Sequence, residues 1–241
     1  MAKKIKIAVY QGKHGIGVPD DIETDIRKSQ PDILCLPEYF MVGPDDKSII
    51  YSANKHNYFL SHLKGLSNRI GCAITGATLL VNESNRYKNR CYFIAKGKIL
   101  GFYDKIHLYR NEGKGLVKPG CEYKVIDYRG IRIGLLICAD VLFKRSFVNI
   151  RGLQPDIIVV PVTSPYIEGE TREDKFARDK ELFIEGARIA GCPMIKVGSI
   201  GKVAGKRVQG RSLAVNLEGI LFRVQPEFED KQILKYIDLA I

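Results

Sequence analysis

Three residues with complementary chemistry follow apolar segments that lie far apart in the chain: Glu38, Lys105 and Cys138. The thiolate is the nucleophilic form of cysteine, and a carboxylate whose pKa is raised by burial can accept the thiol proton. An ammonium favours the thiolate and stabilises the oxyanion that forms when sulfur adds to a carbonyl. Together these groups could form a thioester, release an amine or ammonia, and then hydrolyse the thioester with water.

Taken singly, each of the three residues has an ordinary structural interpretation. A cysteine that ends an apolar strand is usually a buried core thiol. A glutamate after a proline usually begins a helix or is solvated, and a single lysine is usually a surface charge. Composition and periodicity therefore do not join the three residues into one site.

The surrounding segments alternate between strand and helix patterns, which predicts an α/β fold. The predicted strands that precede the three residues are Ile33–Leu36, Ile99–Tyr103 and Ile131–Cys138. Further strands are predicted at Ile5–Gln11, Cys72–Val81, Cys91–Ala95, Tyr123–Tyr128, Asp156–Pro161, Met194–Ser199, Leu213–Asn216, Ile220–Val224 and Ile233–Leu239. Helices are predicted at Pro19–Gln30, Lys55–Ile70 and Arg172–Ala190. Functional residues in α/β folds collect at the carboxyl ends of strands.

One internal similarity suggests how these elements are layered. Pro31–Pro37 is similar to Pro155–Pro161, and each is preceded by a helical segment and a similar strand, Ile5–Val9 or Ile131–Leu135. Two related strand–helix–strand units would build two sheets with helices outside and approximate two-fold internal symmetry. Chance similarity between apolar strands is the alternative.

The composition is that of a globular protein, with 241 residues of which 45% are hydrophobic. No low-complexity linker divides the chain, so we expect one domain over residues 1–241.

The net charge is +11, but the basic residues are scattered without a run of five. This pattern argues against nucleic-acid binding. The alternative is a diverged protein of the same fold that recognises nucleic acid or an acidic partner.

Six cysteines occur, with no C-x-x-C pair and no zinc-type spacing with histidine. We therefore expect free thiols rather than a metal site or a disulfide scaffold.

The basic N-terminus lacks the apolar segment of a signal peptide, and no apolar run reaches the length of a membrane span. We expect a cytoplasmic protein without a membrane partner.

The local sequences join the three residues. Leu36–Tyr39, Tyr103–Leu108 and Leu136–Asp140 resemble, in order and wide spacing, the three catalytic signatures of the nitrilase superfamily of carbon–nitrogen hydrolases. Asn111-Glu112 and Lys118-Pro119-Gly120 resemble that family's glutamate-then-Pro-Gly segment. Weaker similarity continues to the end of the chain, at Asp156–Pro161, Glu185–Gly191, Gly210–Leu213 and Glu218-Gly219.

The resemblance implies an αββα sandwich, in which two mixed β-sheets pack face to face with helices on the outside. It implies that Cys138 is the nucleophile, Glu38 the general base, Lys105 the oxyanion stabiliser and Glu112 a supporting carboxylate. The backbone N–H of Ala139 would complete the oxyanion hole. The family needs neither a metal nor an organic cofactor, and its members commonly pair, so we expect a homodimer or larger homo-oligomer.

The expected substrate is a small molecule that contains an amide, an N-carbamoyl group or a nitrile, and the sequence does not choose among them. We expect Ala139, Tyr39 and Thr163 to contact it. Ala139 departs from the family, which usually has an aromatic residue after the nucleophile. Leu142–Arg145 also departs, since it replaces a Phe-Pro-Glu segment.

Two further features have plain interpretations. His107 could pair with Cys138 as a Cys–His dyad, but a histidine that only packs or hydrogen-bonds is the simpler prediction. The glycine-rich stretch Gly198–Gly205 matches no phosphate-binding motif and is predicted to be a loop. A basic cluster around it is predicted to be a solvated surface that could hold an acidic substrate group: Lys202, Lys206, Arg207 and Arg211.

Overall fold

Two six-stranded sheets form the centre of the molecule in the computed structural model, which describes residues 3–15, 17–84, 86–110 and 112–241. The first sheet contains β1 (Lys4–Gln11), β2 (Ile33–Cys35), β3 (Ala73–Glu83), β4 (Arg86–Ala95), β5 (Lys98–Asp104) and β14 (Ile233–Ala240). The second contains β6 (Lys124–Tyr128), β7 (Ile131–Leu135), β8 (Ile157–Pro161), β9 (Met194–Val197), β12 (Leu213–Val215) and β13 (Ile220–Arg223). The helices are α1 (Asp20–Ser29), α2 (His56–Ile70), α3 (Lys144–Gly152) and α4 (Arg172–Ala190).

The two sheets have equivalent topologies. Strand order is β14-β1-β2-β3-β4-β5 in the first sheet and β13-β12-β9-β8-β7-β6 in the second. In the first sheet β1, β2 and β3 are parallel and are linked through α1 and α2. In the second sheet β7, β8 and β9 are parallel and are linked through α3 and α4. The internal similarity in the sequence thus corresponds to two related units, and both sheets are mixed.

Side chains that alternate along the strands explain the layers. In β1, Ile7 and Val9 belong to the core between the sheets, together with Ile133 of β7. The neighbouring Ala8 and Tyr10 belong to a second core that packs the first sheet against α1 and α2. Helices α3 and α4 cover the outer face of the second sheet. The architecture is therefore the expected αββα sandwich.

The predicted loop at Gly198–Gly205 is wrong in part. Gly201–Val203 (β10) and Lys206–Val208 (β11) form a small antiparallel hairpin. Its two turn residues, Ala204 and Gly205, both have positive φ, at 44° and 76°, which matches the twist of a two-residue hairpin. The strands are too short to give a readable alternation in the sequence.

The basic cluster is also corrected. Lys202, Lys206 and Arg207 are exposed, as predicted for a solvated surface, but Arg211 is buried, with only 2% of its surface exposed. Arg211 lies 3.7 Å from the carboxylate of Asp179 in α4 and 3.8 Å from that of Glu229. The charge pattern did not indicate this burial, because the partners of Arg211 are distant in the chain.

Candidate active site

Cys138 begins a sharp turn at the carboxyl end of β7. The strand ends at Leu135, earlier than the predicted Cys138, and the segment Cys138–Leu142 forms a 3₁₀ turn. Cys138 has a φ of 43°, a left-handed value that non-glycine residues seldom adopt and that clusters at functional sites. The turn leaves the thiol partly exposed, with Sγ 3.9 Å from the carbonyl oxygen of Thr163.

Asp140 holds this turn in place. Its carboxylate is fully buried and accepts hydrogen bonds from the backbone N–H of Ile137 (2.8 Å) and the hydroxyl of Tyr103 (2.8 Å). It also accepts from the backbone N–H of His107 (2.7 Å) and lies 3.1 Å from His107 Nδ1. The carboxylate therefore joins the turn at Cys138 to the segment that carries Lys105.

Glu38 lies just beyond β2 and is 2% exposed. Its Oε1 accepts a hydrogen bond of 2.8 Å from Lys105 Nζ, and its Oε2 accepts one of 3.0 Å from the backbone N–H of Thr163. The Thr163 hydroxyl donates to the backbone carbonyl of Glu38 at 2.8 Å. Thr163 follows β8, so a residue of the second sheet fixes the carboxylate of the first.

Lys105 Nζ bridges two carboxylates, at 2.8 Å from Glu38 Oε1 and 2.8 Å from Glu112 Oε2. Glu112 Oε1 accepts from the hydroxyl of Tyr39 at 2.6 Å. The structure thus brings the predicted residues Glu38, Tyr39, Lys105 and Glu112 together. Asn111, part of the same predicted segment as Glu112, lies outside the described residues.

The Pro-Gly segment supports the backbone of Lys105. The N–H of Gly120 donates to the carbonyl of Lys105 at 2.7 Å. A Cβ at Gly120 would lie 2.3 Å from the carbonyl oxygen of Asp104, closer than any side chain tolerates. Glycine is required there because two backbones approach each other closely.

Asn89 is a site residue that the sequence did not reveal. Its Nδ2 donates to Glu38 Oε1 and to Glu112 Oε1, at 2.9 Å in both cases. It lies in β4, which begins at Arg86 rather than at the predicted Cys91, because the first half of the strand is polar. An asparagine between Lys88 and Arg90 gives no signal of burial.

The electrostatics of the group are set by burial and by close charges. Burial raises the pKa of Glu38 above its ordinary value, although the charge of Lys105 opposes this. Burial, reinforced by the charge of Glu38, also raises the pKa of the Cys138 thiol. Burial acts to raise the pKa of Glu112, but the charge of Lys105 outweighs it and lowers that pKa.

Lys105 stays protonated. Burial acts against its charge, yet the charges of Glu38 and Glu112 raise its pKa overall. A neutral thiol next to a carboxylate of raised pKa and a fixed ammonium can transfer its proton at the moment of attack. The group is thus arranged for a thiol nucleophile with a carboxylate base.

Two cavities meet at Cys138, and Thr163, Pro165, Ile167 and Tyr109 also line both. The larger, of about 610 Å³, contains the carboxyl groups of Glu38 and Glu112, Tyr39 and Lys105 in its walls. The smaller, of about 280 Å³, is lined by Ala139 and by apolar and charged side chains: Val141, Leu142, Val162, Leu182, Phe183, Lys175, Arg178, Asp179 and Lys196.

The hydrogen bonds of His107 go to residues other than Cys138. Its Nε2 accepts a hydrogen bond of 2.8 Å from Arg145 Nε, so Nδ1 carries the proton and faces Asp140. Its ring stacks on Phe143, with centroids 4.1 Å apart. Both ring nitrogens are engaged, which supports the simpler prediction of a histidine that packs and hydrogen-bonds.

Two structural features are absent from the described residues. Across residues 3–15, 17–84, 86–110 and 112–241, no three or more His, Cys, Asp or Glu side chains are placed to share a metal ion. Among the helices that the structure describes, none combines the length and apolar character needed to cross a bilayer.

Comparison with known proteins points to one family. A family model described as carbon-nitrogen hydrolase matches residues 20–240. The chain is 21% identical over 250 residues to a glutamine-dependent NAD(+) synthetase of Acinetobacter baylyi, covering 98% of this chain but 45% of the synthetase. The chain therefore spans less than half the length of that relative.

Two further similarities concern amidases. The chain is 26% identical over 189 residues to an omega-amidase of Escherichia coli strain K12, covering 78% of this chain and 70% of the amidase. It superposes with a TM-score of 0.83 on an amidase from Nesterenkonia sp. AN1, at 21% identity and with 98% and 90% of the two chains covered. That structure is of a mutant of the amidase, with the acetamide moiety of fluoroacetamide covalently added to the active-site cysteine.

Proposed function

Because the chain belongs to the carbon–nitrogen hydrolase family, we propose that it hydrolyses small carboxamides through a thioester on Cys138. One observation carries the proposal: Glu38, Lys105 and Cys138, from three distant segments, line one cavity. The covalent addition of the acetamide moiety of fluoroacetamide to the active-site cysteine of a Nesterenkonia amidase mutant supports a nucleophilic role for Cys138. N-carbamoyl compounds and nitriles are the other substrates to be tried.

The proposed reaction has two steps. Glu38 accepts the thiol proton as Sγ of Cys138 attacks the carbonyl carbon, and Lys105 with the backbone N–H of Ala139 stabilises the oxyanion. Collapse of this intermediate breaks the C–N bond, Glu38 returns the proton to the leaving nitrogen, and ammonia departs. Glu38 then takes a proton from water, which attacks the thioester and releases the acid and the thiol.

Each of the two cavities holds a different part of the substrate. The leaving nitrogen and the oxyanion must reach Glu38 and Lys105, which line only the larger cavity. The acyl chain is the remaining substituent on the carbonyl carbon and extends into the smaller cavity beside Ala139. Tyr39 and Thr163 contact the substrate in this arrangement and fix the carboxylates around it.

The test is ammonia release from a panel of carboxamides, N-carbamoyl compounds and nitriles, with Cys138→Ala as the inactive control. Intact-mass measurement should show an acyl adduct on the wild-type protein and none on the variant. Release that persists in Cys138→Ala, or an absence of release from the whole panel, would remove the proposal.

Ala139→Trp should narrow the range of acyl groups. Ala139 is 2% exposed and lines the smaller cavity of about 280 Å³, so an indole would fill the space for longer chains. We expect kcat/KM for hexanamide to fall about a hundredfold relative to kcat/KM for acetamide. The control is Ala139→Ser, which adds one atom, and an unchanged hexanamide-to-acetamide ratio in the Trp variant would contradict the cavity assignment.

Glu112→Gln should move the acid limb of the pH profile downward. The raised pKa of Glu38 places the acid limb of kcat/KM above the ordinary range of a glutamate, since Glu38 must be ionised to accept the thiol proton. The negative charge of Glu112 contributes to raising that pKa. The neutral amide of the variant removes this contribution, so the pKa of Glu38 falls and the limb shifts to lower pH.

The measurement is kcat/KM for a neutral amide against pH in wild type, Glu112→Gln and the exposed control Glu122→Gln. We also expect turnover at neutral pH to fall about a hundredfold in Glu112→Gln, because Lys105 loses one of its two anchors. An acid limb that stays in place or moves upward would contradict the assignment of Glu38 as the base.

We further propose that the protein is cytoplasmic and forms a homodimer or larger homo-oligomer. Large apolar side chains are exposed, among them Leu142 at 55%, which also lines the smaller cavity, and Val148 at 52%. Their burial between subunits would remove apolar area from water. Light scattering of the purified protein decides the oligomeric state.

A further inference from the structure

The smaller cavity is lined in part by buried charged side chains that have no role in the proposed reaction. Lys175 and Asp179 come from α4 and Lys196 from β9, and they are 3%, 8% and 2% exposed. Lysine and aspartate are seldom buried to this extent unless they are paired or functional. All three line the cavity that Cys138 opens into.

Among the described residues, the hydrogen bonds of this group leave at least one N–H donor of Lys196 without an acceptor. Lys196 Nζ donates to Asp179 Oδ2 at 2.5 Å and lies 5.7 Å from the centroid of the Phe183 ring. An ammonium has three N–H donors, so Lys196 has capacity for a further acceptor. Lys175 Nζ donates to the carbonyl of Pro165 at 2.7 Å and to Gln209 Oε1 at 2.6 Å.

Arg211 lies behind these residues and adds charge that its neighbours do not satisfy. Its nearest carboxylate contacts are 3.7 Å to Asp179 and 3.8 Å to Glu229. None of its three guanidinium nitrogens has a hydrogen-bond acceptor within the part of the chain that the structure describes. The positive charge of Arg211 is therefore added to a region that is already rich in cations.

Cations outnumber carboxylates in this ion-pair network. The cations are Lys175, Lys196, Arg211, Arg172 and Arg178, and the carboxylates are Glu170, Asp179 and Glu229. Burial, reinforced by the charge of Arg211, lowers the pKa of Lys175 to about 8 and also lowers the pKa of Lys196. A negative group in the cavity would offset this excess and accept the unused donors.

We propose that the acyl part of the substrate ends in an anionic group, such as the carboxylate of a dicarboxylic acid monoamide, which Lys196 and Lys175 bind. The proposal rests on the proposed function, because it takes the smaller cavity as the acyl site. Phe183, Leu182 and Val141 form apolar walls for the methylene groups between the two ends. A cavity of about 280 Å³ has room for a short chain of this kind.

The first test compares amides of matched length: glutaric acid monoamide, pentanamide and 5-aminopentanamide. We expect kcat/KM to be highest for the anionic amide and lowest for the cationic one. In Lys196→Met, the anionic-to-neutral ratio should fall about tenfold or more, the value of one charge-assisted hydrogen bond. Lys175→Met tests the second ammonium, from a different element, and Lys202→Met removes an exposed lysine of β10 as the matched control.

The second test does not require turnover. In a Cys121→Ser background, which removes the exposed thiol, glutarate should slow iodoacetamide labelling of Cys138 more than pentanoate at equal concentration does. Lys196→Met or Lys175→Met should weaken this protection, while Lys202→Met should preserve it.

The outcomes separate the two proposals. Equal protection by glutarate and pentanoate, or equal kcat/KM for the three amides, overturns the anion site and leaves the hydrolase function in place. Selective protection by glutarate without hydrolysis of any amide supports the anion site and overturns the hydrolase function. A glutarate effect that persists in both lysine variants also overturns the assignment.

Discussion

Cys138→Ser should abolish amide hydrolysis, with kcat/KM reduced at least about 10⁴-fold. A serine hydroxyl has almost the size and position of the thiol but is far less acidic. Glu38 can deprotonate a thiol whose pKa burial has raised, yet its basicity falls far short of what an alcohol requires. The acyl adduct seen by intact-mass measurement should disappear together with ammonia release.

The remaining cysteines provide the control. Cys121 is exposed, and Cys35, Cys72, Cys91 and Cys192 are buried, so a reagent can reach Cys121 and Cys138 first. Cys121→Ser should keep full activity, and iodoacetamide should then inactivate it at the rate at which Cys138 is modified. Substantial hydrolysis by Cys138→Ser, with an unchanged fold by circular dichroism, would show that another residue is the nucleophile.

The candidate catalytic group was predicted from the sequence because each member lies within a short motif that resembles a signature of one family. Strand ends alone did not join Glu38 and Cys138, because β2 and β7 lie in different sheets. The resemblance of their local sequences to the signatures of one family did. The repeated strand–helix–strand pattern also predicted the two sheets. The short motifs and the strand–helix–strand pattern are both properties of contiguous sequence, which is why they could be recognised without a structure.

The supporting residues could not be predicted, because their roles depend on distant partners. Asn89 lies in a polar half-strand and is buried only because Glu38 and Glu112 converge on it. In the sequence of β9, Lys196 lies between apolar residues, as a lysine that faces solvent would. In the structure it is buried against α4, where it pairs with Asp179. Arg211 follows a glycine in an apparently exposed loop. In each case the ion pair or hydrogen bond spans many residues of chain.

The role of Asp140 could not be predicted either, because the sequence showed it only as the last residue of a motif and its partners are distant in the chain. It organises the site from outside the cavity, and within the described part of the chain its hydrogen bonds go to neither Glu38 nor Lys105. Its partners belong to the β5 end, the turn at Cys138 and the loop after Lys105. Its removal should therefore affect stability and catalysis together.

Asp140→Ala should lower the free energy of unfolding by about 3–5 kcal/mol, because the buried donors of Tyr103, His107 and Ile137 lose their acceptor. For a chain of this length that corresponds to a fall in Tm of roughly 10 °C. The left-handed turn at Cys138 also loses its anchor, so kcat should fall about a hundredfold, since a misplaced nucleophile seldom reaches attack geometry.

Asp140→Asn separates the two roles. The amide keeps one acceptor oxygen but turns an N–H toward donors, so we expect intermediate losses in Tm and in kcat. Asp230→Ala removes an exposed carboxylate and should change neither quantity. Calorimetry with steady-state kinetics on the three variants decides the matter: if Asp140→Ala melts like wild type, or melts early but retains full kcat below its transition, the buried carboxylate does not position Cys138.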